Sequence, residues 1–190
     1  MSQQELLISV VRRLNQLGIP YLLTGSLASS LQGEPRATHD IDLLVDLQVS
    51  QVDALADQFP SEQFYLNRTA VRQATQQRRM FNLLDLRGGD KVDFWLLTDT
   101  PFDQSRFARR QRKNLGDMEI DVSSPEDTIL MKLQWSKASG GSEKQFQDAL
   151  HVWEVQEAVL DRPYLESWLD PLGIRDLWTR LLTEAEPIEE

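Results

Sequence analysis

Leu6, Leu7, Val10, Val11, Leu14 and Leu17 recur at steps of three and four residues, the spacing of one face of an α-helix, so the chain is expected to open with an amphipathic helix. Gly18 and Pro20 end it, because neither residue continues a helix well. The apolar run Tyr21-Leu22-Leu23 then predicts a short buried strand leading into Thr24-Gly25-Ser26. Small residues from Leu27 to Leu31 suit a short helix, and Gly33 and Pro35 mark a loop reaching His39. A second strand is expected from Ile41 to Leu47, with Ser50 as the cap of a helix over 51–58.

Further along, Phe81–Leu86 and Lys91–Leu97 read as two strands joined by the hairpin connector Arg87-Gly88-Gly89-Asp90. Met118–Val122 is another short strand. Ser124-Pro125-Glu126-Asp127 is a helix start, with a capping serine, proline at the first position and acids in the first turn. That helix is expected to reach about Lys137. Ser139-Gly140-Gly141-Ser142 breaks it, a second helix follows to about Leu160, and helices over Tyr164–Leu169 and Ile174–Ala185 complete the tail. The pattern predicts an α+β fold, a mixed sheet flanked by helices over residues 1–122 with a helical part over 123–190.

Composition narrows the function. The 190 residues carry 20 bases and 30 acids, a net charge of −10, which argues against a general binder of extended DNA. The excess lies late in the chain: residues 151–190 hold 10 acids against 3 bases, and Glu184, Glu186, Glu189 and Glu190 read as solvated. The absence of cysteine excludes disulfides, zinc–thiolate sites and a thiol nucleophile. The first residues lack the basic start of a signal peptide, and no apolar run approaches the roughly 18 residues of a membrane span. The expectation is a cytoplasmic protein without membrane contact.

The chemistry concentrates in Gly25-Ser26 and Asp40-Ile41-Asp42. Strand side chains alternate faces, so Asp40 and Asp42 project from the same side, where two like charges invite a cation. Carboxylate oxygens suit magnesium, which leaves its other positions to water and phosphate. Gly25 allows close backbone approach, Ser26 offers a hydroxyl, and the amides opening the following helix favour a phosphate. A third carboxylate is expected from Asp93, set in the apolar run Val92-Asp93-Phe94-Trp95, with Asp85 on the preceding strand as its rival. Together these residues describe a site for a metal-bound polyphosphate.

Gly25-Ser26, Asp40-Ile41-Asp42 and Asp93 resemble the signature of the nucleotidyltransferase superfamily that includes DNA polymerase beta. Arg36-x-Thr38-x-Asp40 is most similar to the minimal and AbiEii-type bacterial members, as are Lys132 and the run Lys144-Gln145-Phe146-Gln147-Asp148, in which Gln145 stands where those proteins usually have an aspartate. The resemblance implies an enzyme that moves a nucleoside monophosphate from an NTP to a hydroxyl and releases pyrophosphate. Asp40, Asp42 and Asp93 would hold two magnesium ions, and Asp93 could serve as the base. Gly25, Ser26, Arg36, Lys132 and Asp148 would form the nucleotide-binding set, with Arg36 or Lys132 offsetting the leaving charge. It implies a tRNA end, a partner protein or a small molecule as acceptor, and a toxin–antitoxin or defence setting. The alternative is a catalytically silent member that binds nucleotide or a partner.

The remaining basic residues, Arg106 to Lys113 and Arg68 to Arg79, are expected to be solvated faces rather than an RNA surface. His39 reads as a local cap and His151 as structural. Trp135, Trp153, Trp168 and Trp178 are expected to pack in the helical tail.

Overall fold

The computed structural model describes residues 2–38 and 40–186, so His39, Glu189 and Glu190 lie outside the described residues. A seven-stranded mixed sheet is built from β1 (Tyr21–Thr24), β2 (Asp40–Val45), β3 (Phe64–Tyr65), β4 (Met80–Asp85), β5 (Lys91–Leu96), β6 (Gln111–Leu115) and β7 (Met118–Val122). Its order is β3-β4-β5-β2-β1-β7-β6, with β2–β5 and β1–β7 parallel and the other pairs antiparallel. The helices are α1 (Gln3–Gln16), α2 (Gly25–Gln32), α3 (Val52–Asp57), α4 (Arg68–Gln77), α5 (Pro101–Ala108), α6 (Pro125–Ala138), α7 (Glu143–Gln156), α8 (Arg162–Leu172) and α9 (Arg175–Glu184). None of the described helices is long and apolar enough to cross a membrane.

The chain forms two compact units. One comprises the chain through Thr24 together with Thr38–Val122, and so holds the sheet with α1, α3, α4 and α5. The other comprises Gly25–Ala37 and the chain from Ser123 onward, and so holds α2 and α6 to α9.

In the sheet unit, α1 starts at a reciprocal cap: the Ser2 hydroxyl accepts from the Glu5 amide and the Ser2 amide donates to the Glu5 carboxylate. Leu6, Leu7, Val10, Val11 and Leu14 are buried, as their spacing requires. One face of the sheet is continuously apolar, with Ile41, Leu43 and Val45 of β2, Val92, Phe94 and Leu96 of β5, and Phe81 and Leu83 of β4 all buried. Phe81 and Phe94 stack there with centroids 4.8 Å apart. On the opposite face, Leu22, Leu44, Leu97 and Phe107 form a buried cluster against which Trp95 packs. Phe107 comes from α5, so this cluster closes one end of that face.

In the helical unit, Ser124 caps α6 by accepting from the Asp127 amide, with Pro125 at the first position. Phe146, Ala149, Val152 and Trp153 of α7 are buried, as are Leu165, Leu169, Trp178 and Leu181. Trp153 and Trp178 meet edge to face at 5.0 Å. Trp135, by contrast, is 40% exposed rather than packed away. Gln32, at the end of α2, donates to the Ser123 carbonyl and accepts through its own carbonyl from Gln156.

Several elements depart from the sequence expectation. Ser50 lies in a 3-10 turn over Val49–Gln51 and does not cap α3, whose flanking position is Gln51. The helix expected to reach Leu160 ends at Gln156 and passes into a 3-10 turn. β3, α4, α5 and β6 carry too little hydrophobic pattern to be read. Only Val71, Ala74 and Thr75 of α4 are buried, and β6 is Gln-Arg-Lys-Asn-Leu, held as a strand by its pairing with β7.

Gly33 follows α2 where α7 passes close by. A Cβ built on it would stand 2.8 Å from the Val152 amide nitrogen and 2.9 Å from the His151 carbonyl carbon, both backbone atoms that cannot rotate away. Gly33→Ala is therefore expected to destabilise the protein by about 2 kcal/mol through overpacking, read as a lower urea midpoint. An unchanged midpoint would contradict this close approach.

Candidate functional site

The parallel pairing of β2 and β5 runs Asp40↔Lys91, Asp42↔Asp93 and Leu44↔Trp95. Partners directly opposite on neighbouring strands share a face, so Asp40, Asp42 and Asp93 lie on one side of the sheet, with Cβ atoms of opposed residues roughly 5 Å apart. β1 adds Thr24 opposite Asp42, and β4 adds Asn82 opposite Asp93. The three carboxylates occupy the part of this face beyond the Leu22, Leu44 and Phe107 cluster.

Asp85 belongs elsewhere. It is fully buried on the apolar side, and its two carboxylate oxygens accept from the amides of Arg87 and Gly88, each at 3.1 Å. Its work is to close the β4–β5 hairpin, which leaves Asp93 as the third carboxylate of the face.

Each carboxylate is engaged differently. Asp42 accepts from the indole Nε1 of Trp95 at 3.2 Å. The Lys91 ammonium lies 2.8 Å from Asp93 Oδ2 and 3.6 Å from Asp40 Oδ1. The hydrogen bond to Asp93, and then the charges of Asp93 and Asp40, push the Lys91 pKa up, so it stays a cation. Asp93 is 6% exposed, and its Oδ1 is buried without a hydrogen-bond partner among the described residues. No group of three or more acidic, histidine or cysteine side chains is gathered at metal-holding distances among the described residues. The donor set nevertheless fits magnesium: hard carboxylate oxygens on one face, one of them a buried oxygen that nothing else satisfies.

Lys91 and Trp95 are the functional neighbours that the sequence reading passed over. The signal was present, since both lie two residues from Asp93 and so share its face.

The second group lies wholly in the helical unit. Arg36 grips Asp148 with two nitrogens, Nε at 2.7 Å and Nη2 at 2.8 Å, while Lys132 Nζ reaches the same carboxylate at 2.6 Å. The Ser26 hydroxyl accepts from Arg36 at 2.7 Å and from Lys132 at 3.3 Å. Lys132 and Asp148 are both buried. Two cations and one anion leave a net positive charge around a serine hydroxyl at the start of α2, where Gly25 adopts a positive φ of 68°. This arrangement favours an anion such as phosphate. Gly25 follows Thr24 directly in the chain. Lys144 is exposed, and Gln145 only partly buried.

The basic runs are neutralised by neighbours. Arg68 and Arg72 pair with Asp53 and Asp57, and Arg110 and Arg112 with Asp121, which fits partly solvated faces rather than an open RNA surface, whereas Arg106, expected on a solvated face, is buried and pairs with Asp103. His151 lies 3.7 Å from Glu34 in the helical unit.

Burial works to raise the Asp148 pKa, but the hydrogen bonds from Arg36 and Lys132 outweigh it and hold the carboxyl below its ordinary value. The folded state thus binds the proton less well than the unfolded chain. The carboxylate's stabilisation is fully present above the unfolded pKa of about 3.9 and fades as pH falls through the lower folded value. Asp148→Asn should cost about 3 kcal/mol at pH 7, because Lys132 is left buried without its counter-charge. Urea unfolding should show that difference constant from pH 7 to 5 and shrinking below about pH 4. A pH-independent difference would contradict the assignment.

No curated protein matches the chain by sequence. Among solved structures, it superimposes on the lincosamide antibiotic adenylyltransferase LnuA bound to lincomycin with a TM-score of 0.56 and 12% identity, covering 82% of this chain and 98% of that one. A nucleotidyltransferase-like antigenic protein from Paracoccidioides brasiliensis gives 0.56 and 19%, covering 97% and 94%. ANT(2'')-Ia in complex with adenylyl-2''-tobramycin gives 0.51 and 14%, covering 92% and 99%. At these identities the likenesses establish a shared nucleotidyltransferase fold. The model of the aminoglycoside-2''-adenylyltransferase family matches residues 6–154, a span that includes both groups of residues described above. The chain therefore belongs to the aminoglycoside-2''-adenylyltransferase family of nucleotidyltransferases.

Proposed function

We propose that the protein transfers a nucleoside monophosphate, with ATP the favoured donor, to a hydroxyl of a small-molecule acceptor. The observation that carries this reading is the pairing of Asp42 with Asp93 on one sheet face, with Asp40 beside them and a buried carboxylate oxygen of Asp93 left unsatisfied.

In the reaction, the acceptor oxygen bonds to the α-phosphorus, the bond from that phosphorus to the bridging oxygen breaks, and pyrophosphate leaves. The acceptor's proton passes to solvent or to a carboxylate of this face. Trp95 fixes the Asp42 carboxylate through its indole N–H, and Lys91 fixes that of Asp93. Taken by itself, the helical unit offers donors and net positive charge suited to an anion at Ser26, Arg36 and Lys132, with Asp148 holding the two cations in place. Magnesium held by Asp40, Asp42 and Asp93 would neutralise the triphosphate and acidify the acceptor hydroxyl.

The family description and the antibiotic-bound relatives support a small polyhydroxylated acceptor. A tRNA end or partner protein, with a toxin–antitoxin or defence setting, rests only on the AbiEii-type resemblance. The neutralised arginine runs give a nucleic-acid acceptor no added support.

Incubation with α-labelled ATP and magnesium, with tobramycin, lincomycin or a cell extract as acceptor source, tests the reading. The wild type should transfer label to a small molecule. Asp42→Asn should lose at least about 100-fold in rate, as when a major transition-state charge partner is removed. Its circular dichroism and Tm should not fall, because the substitution relieves like-charge repulsion on the face. Undiminished transfer by Asp42→Asn would contradict the site. No transfer by a folded wild type would favour a silent nucleotide-binding protein.

A further inference from the structure

A lysine shares the face of the three carboxylates and lies directly beside them. Lys91 stands opposite Asp40 in the β2–β5 register and two residues before Asp93 on its own strand, so all four side chains project the same way. Its ammonium touches Asp93 Oδ2 at 2.8 Å and lies within ion-pair distance of Asp40 Oδ1 at 3.6 Å. Asp40 and Lys91 both have solvent-facing alternatives, since Asp40 is mostly exposed and Lys91 is 37% exposed, whereas Asp93 is buried. The lysine therefore reaches both acids by its position in the strand and is not forced there by packing.

The geometry points to Lys91 as a tethered counter-cation of the metal site: a positioning residue that occupies the space between Asp40 and Asp93 and sets how tightly a divalent cation is held. This inference rests on the metal-binding reading of Asp40, Asp42 and Asp93. With Lys91 present, an incoming cation meets a face of net charge −2 rather than −3. It must also compete with the ammonium for Asp93 Oδ2 and Asp40 Oδ1. Asp93 Oδ1, buried and without a hydrogen-bond partner among the described residues, is not held by the ammonium.

Two consequences follow from charge alone. Lys91 keeps the carboxylates from repelling one another when no metal is bound, and it weakens resting metal affinity. Tight occupancy then depends on the extra oxygens of a triphosphate, so the site fills when nucleotide brings the metal with it. Removing one positive charge about 5 Å from a divalent ion, with the pair screened by solvent, is worth roughly tenfold in affinity.

The test is a Mn²⁺ titration followed by electron paramagnetic resonance on the nucleotide-free protein, comparing wild type, Lys91→Met, Lys91→Arg and Asp42→Asn. Lys91→Met should bind Mn²⁺ about tenfold more tightly than wild type, and Lys91→Arg, which keeps the charge, should stay near wild type. Asp42→Asn should bind more weakly than either. In parallel, Lys91→Met should melt lower than wild type in EDTA, with the difference vanishing at saturating Mn²⁺. A lysine that merely filled space would not tighten metal binding when removed. If Asp42→Asn loses affinity while Lys91→Met binds as wild type or more weakly, the role of Lys91 is overturned and the metal site stands. If neither wild type nor Lys91→Met binds Mn²⁺, the metal reading fails, and the counter-cation with it.

Discussion

The parallel pairing of β2 with β5 is the constraint on which the carboxylate site depends. A strand has a side-chain period of two, so a slip of one residue would turn Asp93 to the apolar side and bring Val92 or Phe94 beside Asp42. The register is held by that apolar side. Ile41, Leu43 and Val45 on β2 and Val92, Phe94 and Leu96 on β5 are all buried, and Phe94 is stacked on Phe81 of β4. The chemistry on one face is thus fixed by the packing on the other. Burying these six side chains, at about 1.5–3 kcal/mol each, far exceeds the repulsion of three partly solvated carboxylates.

Charge in the molecule is managed locally. On the sheet, Lys91 and the indole of Trp95 engage the acids that would otherwise face each other. In the helical unit the balance is reversed: one buried carboxylate, Asp148, anchors two cations that share the Ser26 hydroxyl. A buried pair of this kind contributes little net stability compared with apolar residues of the same shape, yet breaking it on one side is costly. Its value lies in presenting positive charge in a fixed place. The overall charge of −10 is therefore a poor guide to what the protein can bind. Several arginines of the basic runs are matched by nearby acids, and on the proposed reading the cations of interest are Lys91, Arg36 and Lys132.

Much of this was legible in the sequence because it follows from periodicity. The α1 stripe, the Ser124-Pro125 helix start and the Arg87–Asp90 hairpin each rest on a local rule, and each is present. The α+β class and the nucleotidyltransferase superfamily were legible for the same reason, since the acids and their apolar flanks are short-range patterns. What was hidden depends on partners distant in sequence. β6 is a strand only because β7 pairs with it, and α4 buries too few apolar positions to show a stripe. The choice between Asp93 and Asp85 could not be made from flanking residues with certainty, because both are buried. The difference is that Asp85 receives two amides of its own turn. Lys91 escaped notice because a lysine at a strand start is ordinarily a solvated end; its two-residue step from Asp93 was the signal, and the pairing with Asp40 bears it out.

If strand register builds a cation site from Asp40, Asp42 and Asp93, anomalous diffraction from crystals grown with Mn²⁺ and a non-hydrolysable ATP analogue should reveal it directly. The expected result is an anomalous peak within about 2.0–2.3 Å of carboxylate oxygens of Asp42 and at least one of Asp40 and Asp93, the range expected for a hard divalent ion on oxygen. A bound nucleotide whose metal touches none of these three aspartates would contradict it.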